Sequence, residues 1–527
     1  MALNSLLDIP LELISSILLY LSPHDIISCG GTCRALYDLC GDTALRYLVQ
    51  MERSGVSDDL FRGLSFPERL SLLKKREEAW MVLDFQKTVQ ISVPFDSTGI
   101  YDFTGGAFLL GTRLYNASRR PTVGYSYVPL PSLSEAQDQK LKWVGTSLES
   151  QVLDVGLAVH EHDLIAALIA KADTDNPVDR NLTLQIRLLR FSTGQPHPLA
   201  EQPIIYIATK SLLLGHCNVL IEIVGDFLAL LITFPWARSE SEDMFFLVRW
   251  KKGEAHCLRS FEWGAYAYFS FLSHDTLVIP NLIHNMLEVV RIVVDEDDNI
   301  PLLVPLLSRR TESLRLRSDA IVLFNLLIED ARLHPGQLHF PETRPFTFIV
   351  HRRALIAHVP PAQRACAPFR SIKPAPPPVK VPWSGWGVVA TRWFEGDPAS
   401  MRWITTTAGQ RAVTMDEGGP TPIRVRDFNP YTVRAVRQCR DVEGEPGDWE
   451  ELLPNGNWQI LRVEESVLPA GAMFKEDVRS ALPYVETVTR ERYRYEGVLI
   501  DEERILGLKT SHEDEIGISS FDVHVLG

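Results

Sequence analysis

One phrase of this chain occurs twice. "LLRFSTGQPHPL" (Leu188–Leu199) lies over "LVRWKKGEAHCL" (Leu247–Leu258). Arg190 falls on Arg249, Phe191 on Trp250, Gly194 on Gly253 and His197 on His256, an offset of 59 residues. Each copy reads strand, tight turn at the glycine, strand. A second recurring unit is an acid that opens an apolar run: Asp163 in "HDLIAALI", Asp226 in "GDFLALLI", Asp275 in "HDTLVIP" and Asp319 in "SDAIVLFNLL", spaced by 63, 49 and 44 residues. "DEERILGL" at Asp501 is a weaker late copy. Units of this length holding several short strands cannot bury both their faces alone, so they stack. The expected result is a β-propeller of four-stranded blades, about six to eight of them. A pair of β-sandwiches is the alternative, and the regular recurrence disfavours it.

The texture that carries these repeats begins near residue 87, where short apolar runs alternate with Gly, Pro, Asn and Asp clusters. "VLIEIVGDFLALLITFPW" (Val219–Trp236) belongs to it. Glu222, Gly225 and Asp226 interrupt that run, so it reads as two buried strands around a Gly-Asp turn, not as a membrane span. "DEDDNIP" (Asp295–Pro301) reads as a link between strands. "KPAPPPVKVPWSG" (Lys373–Gly385) reads as a proline-rich loop or linker.

The first 85 residues differ. In "DIPLELISSILLYLSP" Ile14, Ile17, Leu18 and Leu21 fall on one helical stripe, and Pro10 suits the first turn. No Lys or Arg precedes the run, and Asp8, Pro10 and Glu12 interrupt it, which excludes a secretion signal. Ser22-Pro23-His24-Asp25 reads as a second helix start, with Ile26, Ile27 and Cys29 on that helix and Gly30-Gly31 ending it. Thr32 is expected to cap a third helix and Gly41-Asp42 to open a fourth. "SFPERLSLLKKREEAWMVLDF" repeats the grammar, with Ser65 as cap, Pro67 in the first turn and Glu68 closing the box.

Charge and chemistry narrow the function. A formal net charge of −14 and a pI near 5.5 oppose a general nucleic-acid binder. Seven scattered cysteines suggest no disulfide framework and point to a reducing compartment. Phosphate-loop, dinucleotide, serine-elbow and zinc-protease motifs are absent. His160-Glu161-His162 could present two imidazoles to one ion from an extended strand, but the plainer reading is a polar turn. Cys29, Cys33 and Cys40 read as small buried hydrophobes. His197 and His256 recur inside a repeated unit and are expected to be structural. Trp383, Trp386, Trp393 and Trp403, with Arg392 and Arg402, read mainly as packing, although exposed Trp and Arg are favoured interface residues.

The N-terminal helices carry the sharpest signal. "LLDIPLELISSILLYLSPHDIISCGGTCRALYDLC" (Leu6–Cys40), continuing to about Val49, resembles the F-box. The family's Leu-Pro falls on Ile9-Pro10, its helix-one apolar positions on Leu13, Ile14, Ile17, Leu18 and Leu21, and its Cys-Arg on Cys33-Arg34. Ile9 stands where Leu is usual, and Tyr47 where a Trp is often found. Together with residues 44–85 the pattern is similar to F-box proteins abundant in mushroom-forming fungi. The implied architecture is α+β and multidomain: an all-α F-box (1–50), a helical extension (51–86), and a large all-β, propeller-like recognition domain (87–527).

The resemblance implies a substrate-recognition adaptor of an SCF-type cullin–RING ubiquitin ligase. Its F-box would dock on a Skp-family adaptor through Ile9, Pro10, Leu13, Ile14, Ile17, Leu18, Leu21, Ile26 and Cys29. The β domain would hold an unknown target protein. No catalytic, cofactor or metal residue is assigned, nucleic acid and membrane are not expected partners, and the expected location is cytoplasmic or nuclear. Two rival readings stay open. One is a propeller-based hydrolase or lyase using polar residues such as His160, His162 and His274. The other is a scaffold with an F-box-like N-terminus that joins no ligase.

Overall fold

The computed structural model describes residues 6–56, 63–113, 121–132, 141–172, 181–211, 217–234, 243–261, 264–294, 301–305, 320–329, 343–357, 381–396, 402–416, 418–440, 447–471, 473–511 and 514–526. Asp319, most of the 295–301 link and the proline-rich stretch before residue 381 lie outside them.

Local chemistry sets the N-terminal helices α1 (Leu11–Leu18), α2 (Pro23–Gly30), α3 (Arg34–Cys40), α4 (Thr43–Ser54) and α5 (Phe66–Val82). At α2 the Asp25 N–H donates to Ser22 Oγ (3.2 Å), and the Ser22 hydroxyl donates to Asp25 Oδ2 (2.7 Å). At α4 the Ala44 N–H donates to Asp42 Oδ1 (2.8 Å). At α5 the backbone N–H and hydroxyl of Ser65 both donate to Glu68 (2.9 and 2.6 Å). The Asp25 and Ala44 bonds satisfy N–H groups that a helix end leaves unpaired. Thr32 departs from expectation. Its hydroxyl donates back to the Cys29 carbonyl (2.7 Å), so it finishes α2, and Cys33 opens α3 without a side-chain cap. Ile14, Leu18, Ile26, Leu36 and Leu45 form the core of α1–α4. Tyr47, Met51, Leu70 and Leu73 join α4 to α5.

Beyond α5 the strands form seven blades around a ring. Blade I holds Ser97–Thr104, Ala107–Arg113, Thr122–Pro129 and Val144–Ser147, and blade II holds Gln151–Ala158, Leu164–Ala172, Asn181–Arg190 and Ile204–Ser211. Blade III comprises Asn218–Val224, Phe227–Thr233, Asp243–Arg249 and Glu254–Phe261. Blade IV comprises Ser270–Ser273, Thr276–Asn281, Met286–Val294 and Pro301–Pro305. Blade V shows three strands among the described residues (Ile321–Glu329, Thr343–His351, Thr391–Glu395), and blade VI has grown to six (Thr407–Ala408, Arg411–Thr414, Arg424–Asp427, Trp449–Leu452, Trp458–Arg462, Tyr484–Val488). Sheet cores between blades are apolar on both faces, as stacking requires.

The recurrent acids have a common duty. Each sits in the turn between a blade's first and second strands and ties it to a nearby cation. Asp163 pairs with Arg190 (2.8 Å), Asp275 with Arg291 (2.7 Å), Asp501 with Arg504 (2.8 Å) and Asp226 with Lys251. In blades II and IV the arginine lies directly across the ladder from the second strand's first residue, Leu164 opposite Arg190 and Thr276 opposite Arg291.

The duplicated phrase diverges in its return strand. In blade III the chain turns at Gly253 (φ +74°) and re-enters the sheet at Glu254. In blade II it turns at Gly194 (φ +67°), but the next strand starts only at Ile204. Pro196 and Pro198 lack the N–H that a ladder needs.

The ring closes on its own N-terminal strand. Lys87–Ser92 adds to blade VII (Gly497–Ile500, Arg504–Ser511, Asp514–Val525), with Lys87 opposite Val525 and Ser92 opposite Ser520. His524 is buried in this closure. Its Nδ1 meets Thr88 Oγ1 (3.0 Å), its Nε2 meets Tyr495 Oη (2.9 Å), and its ring stacks on Phe85. Burial pushes the imidazole down to about 4. The unfolded chain therefore binds the proton more readily, so this contribution is complete above the ordinary histidine range and is lost as pH falls from about 6.5 toward 4. Buried acids with raised values, Asp102 and Asp501 among them, act in the opposite sense. The difference between wild type and His524→Gln isolates the histidine. Lowering pH from 7 to 5 should cost wild type about 2 kcal/mol more than the variant, measured by denaturant unfolding at each pH.

Candidate functional site

The expected docking residues divide by burial. Ile14, Leu18 and Ile26 point into the module's own core, Leu18 with only 3% of its surface exposed. Ile14 and Leu18, at i and i+4 of α1, close the bundle together with Ile26 of α2. Ile9, Leu21 and Cys29 lie at the border, half-buried against that core. Pro10 is exposed. Leu13 (54%) and Ile17 (48%) stand outward, four residues apart on one face of α1. Tyr20 (91%) follows one turn on, and Ile27 and Tyr37 are exposed on α2 and α3. Leu6, Leu7 and Leu11 extend the apolar surface at the N-terminal edge. Sequence reasoning missed these last six. Their signal was a surplus: α1–α3 hold more large apolar residues than their small core accommodates. Tyr47, at the position of the family's terminal aromatic, is fully buried and packs on Phe66.

This surface is fixed relative to the propeller by α5. Ala79, Trp80 and Leu83 enter the core between blades VI and VII with Val413, Val425, Val498 and Ile505. Trp80 Nε1 donates to the Glu502 carbonyl (3.0 Å). The last carbonyls of α5, which no helical N–H reaches, accept from blade VI and the hairpin before its Trp458–Arg462 strand. Gln459 and Thr487 donate to Met81, Asn455 to Val82, and Asn457 to Val82 and Leu83, at 2.8–3.2 Å. Arg411 sits at the centre of the joint. It pairs with Glu77 of α5 and Asp427 of blade VI (3.3 Å) and lies over the Trp80 ring (5.0 Å). The two carboxylates hold its guanidinium above the ordinary range against the cost of burial.

The remaining candidates take structural places. His160-Glu161-His162 forms one helical turn, α6 (Val159–His162), not an extended strand. His162 Nε2 and Trp250 Nε1 both reach the Gly225 carbonyl (2.9 Å each), and Glu161 accepts from the Gly225 N–H (3.1 Å). His197 Nε2 donates to the His162 carbonyl (2.9 Å) with its ring edge-on to Trp250. These contacts weld blade II to blade III. The matched His256 makes no such bond; its Nε2 is buried without a partner. Arg392 is buried and donates to the carbonyls of Leu482, Glu464 and Ser480. Trp383 and Trp393 pack with Phe348, and Trp403 packs on Tyr101.

The innermost strands also carry acids. Burial pushes Asp102 up to about 6 and Asp154 up to about 7. Glu222 is raised as well; it accepts from the Phe271 N–H (2.9 Å) and feels Arg352. Among the described residues no group of three or more His, Cys, Asp and Glu side chains could hold a metal ion, and no helix is long and apolar enough to cross a membrane.

A family model described as F-box-like matches residues 6–48. No curated protein matches the chain. Among solved structures it is similar to Hsv2 of Kluyveromyces lactis at 13% identity and a TM-score of 0.24, over 39% of this chain and 60% of that one. It is also similar to the alpha-L-arabinanase of Cellvibrio cellulosa at 13% identity and a TM-score of 0.20, over 38% and 75%. Residues 6–48 are an F-box-like domain, and a seven-bladed β-propeller-like domain follows it.

Proposed function

We propose that this chain is the substrate-recognition subunit of an SCF-type cullin–RING ubiquitin ligase. Its F-box-like domain docks on a Skp-family adaptor through Leu13, Ile17 and the exposed apolar residues around them. The propeller holds the target protein. In this reading the chain performs no chemistry of its own, contacts neither nucleic acid nor membrane, and works in the cytoplasm or nucleus.

One observation carries the reading. The matched domain closes its core with Ile14, Leu18, Ile26, Leu36 and Leu45 and still exposes Leu13, Ile17, Tyr20, Ile27 and Tyr37. Apolar surface of that kind, clustered on a small module, marks an interaction site. Burying each such side chain contributes about 1.5–3 kcal/mol, enough to offset association costs with a few anchors. The test is affinity purification of the tagged full-length chain. Recovery of both a Skp-family adaptor and a cullin supports the proposal. Recovery of the adaptor without a cullin selects the scaffold reading, and recovery of neither ends the adaptor assignment.

A further inference from the structure

Between the end of α4 and blade VI lies a small, partly open cavity of about 10 Å³. Its walls include the apolar Val56 and Ala408 beside Ser54, Gln410, Asp427 and Asn429. Gln410 lies in the turn between the first and second strands of blade VI, and only 7% of its surface is exposed. Its backbone carbonyl accepts from the Phe428 N–H (2.9 Å), which fixes the turn. Its side-chain Oε1 is buried and has no hydrogen-bond partner. Gly55 ends α4 in the left-handed region (φ +64°), and a Cβ there would stand 3.1 Å from Gln410 Nε2. Beside it the Arg53 carbonyl accepts from Asn429 Nδ2.

A buried amide oxygen without a donor is costly, because it has given up water and gained no bond in return. A cavity of this size has room for about one water, and buried waters occupy such places when several polar groups converge. We propose that this cavity is a binding site for a single structural water that donates to Gln410 Oε1 and links the end of α4 to blade VI. The water completes the joint between the two domains where side chains alone leave it unsatisfied.

Gln410→Met tests this by the sign of its effect. It keeps the length of the side chain and removes the acceptor. If the cavity is dry, the variant removes an orphaned group and its melting temperature stays level or rises. If the cavity holds the water, the variant strips it of a partner, and the melting temperature falls by about 1–3 °C. A fall is expected; a level or raised value overturns the proposal. Crystals of the wild-type chain give an independent reading should the variant fail to fold. A water peak about 2.7–3.2 Å from Gln410 Oε1 is expected. Empty density there, or an anomalous peak after a rubidium soak that marks a monovalent cation, refutes it.

Discussion

Replacing Leu13 and Ile17 together by glutamine is expected to abolish recovery of a Skp-family adaptor while leaving the chain folded. Both side chains stand outward on α1 and take no part in the core of Ile14, Leu18, Ile26, Leu36 and Leu45. Glutamine keeps most of leucine's helix propensity, so α1 persists. At an interface the same change withdraws two apolar anchors and buries two amides in their place. At about 1.5–3 kcal/mol for each anchor, affinity should fall by roughly 100-fold or more. Surface-immobilised adaptor titrated with wild type and variant measures it, with circular dichroism confirming equal helix content. Equal affinity would remove Leu13 and Ile17 from the interface. The contrasting substitution is Leu18→Asp. It also loses the adaptor, but by unfolding the module, because it buries an unpaired charge in the core. Helix content separates the two outcomes.

Arg411→Ala is expected to produce the largest loss of stability of any single substitution at the domain joint, about 3–5 kcal/mol. The substitution leaves Glu77 and Asp427 buried without their shared counter-charge and removes the cation from the face of Trp80. Replacing a buried ion cluster by a packed apolar set can be neutral, but deleting one member is not. Part of the loss should be local. With α5 loosened, the helices detach before the blades melt, so limited proteolysis should cut near residues 83–86 well before the wild type is cut there. A variant with wild-type melting and an uncut α5 would show that the apolar contacts of Ala79, Trp80 and Leu83 suffice.

Much of this molecule was legible in its residues, and the parts that were not share a cause. Helix starts were readable because Ser22, Asp42, Ser65 and Glu68 act on neighbours three residues away or closer. The blades were readable because Asp163, Asp226 and Asp275 recur at a fixed place in a repeated unit. The exposed apolar surface was only half readable. A stripe at i, i+3, i+4 says that a helix face is apolar, but not whether its own bundle or a partner covers it. Ile14 and Leu18 went to the bundle, whereas Ile17, on the same stripe, is left half exposed. Thr32 could have capped either the helix before it or the one after. The joint around Arg411 was invisible, since Glu77, Arg411 and Asp427 meet only once the ring has formed. Blade VI had outgrown four strands by pairing Trp458–Arg462 with Tyr484–Val488, partners separated by a long excursion that no local pattern encodes.

The closing strand sets an order of events during synthesis. Lys87–Ser92 emerges from the ribosome hundreds of residues before its ladder partner Ser520–Val525. Until then the seventh blade lacks its third strand, and the outermost strand has nothing to pair with. Residues 6–48 are complete hundreds of residues sooner, with local caps and a core of their own. A nascent chain therefore presents its F-box-like helices before the ring can close, and a chain that stops short of residue 514 never closes it.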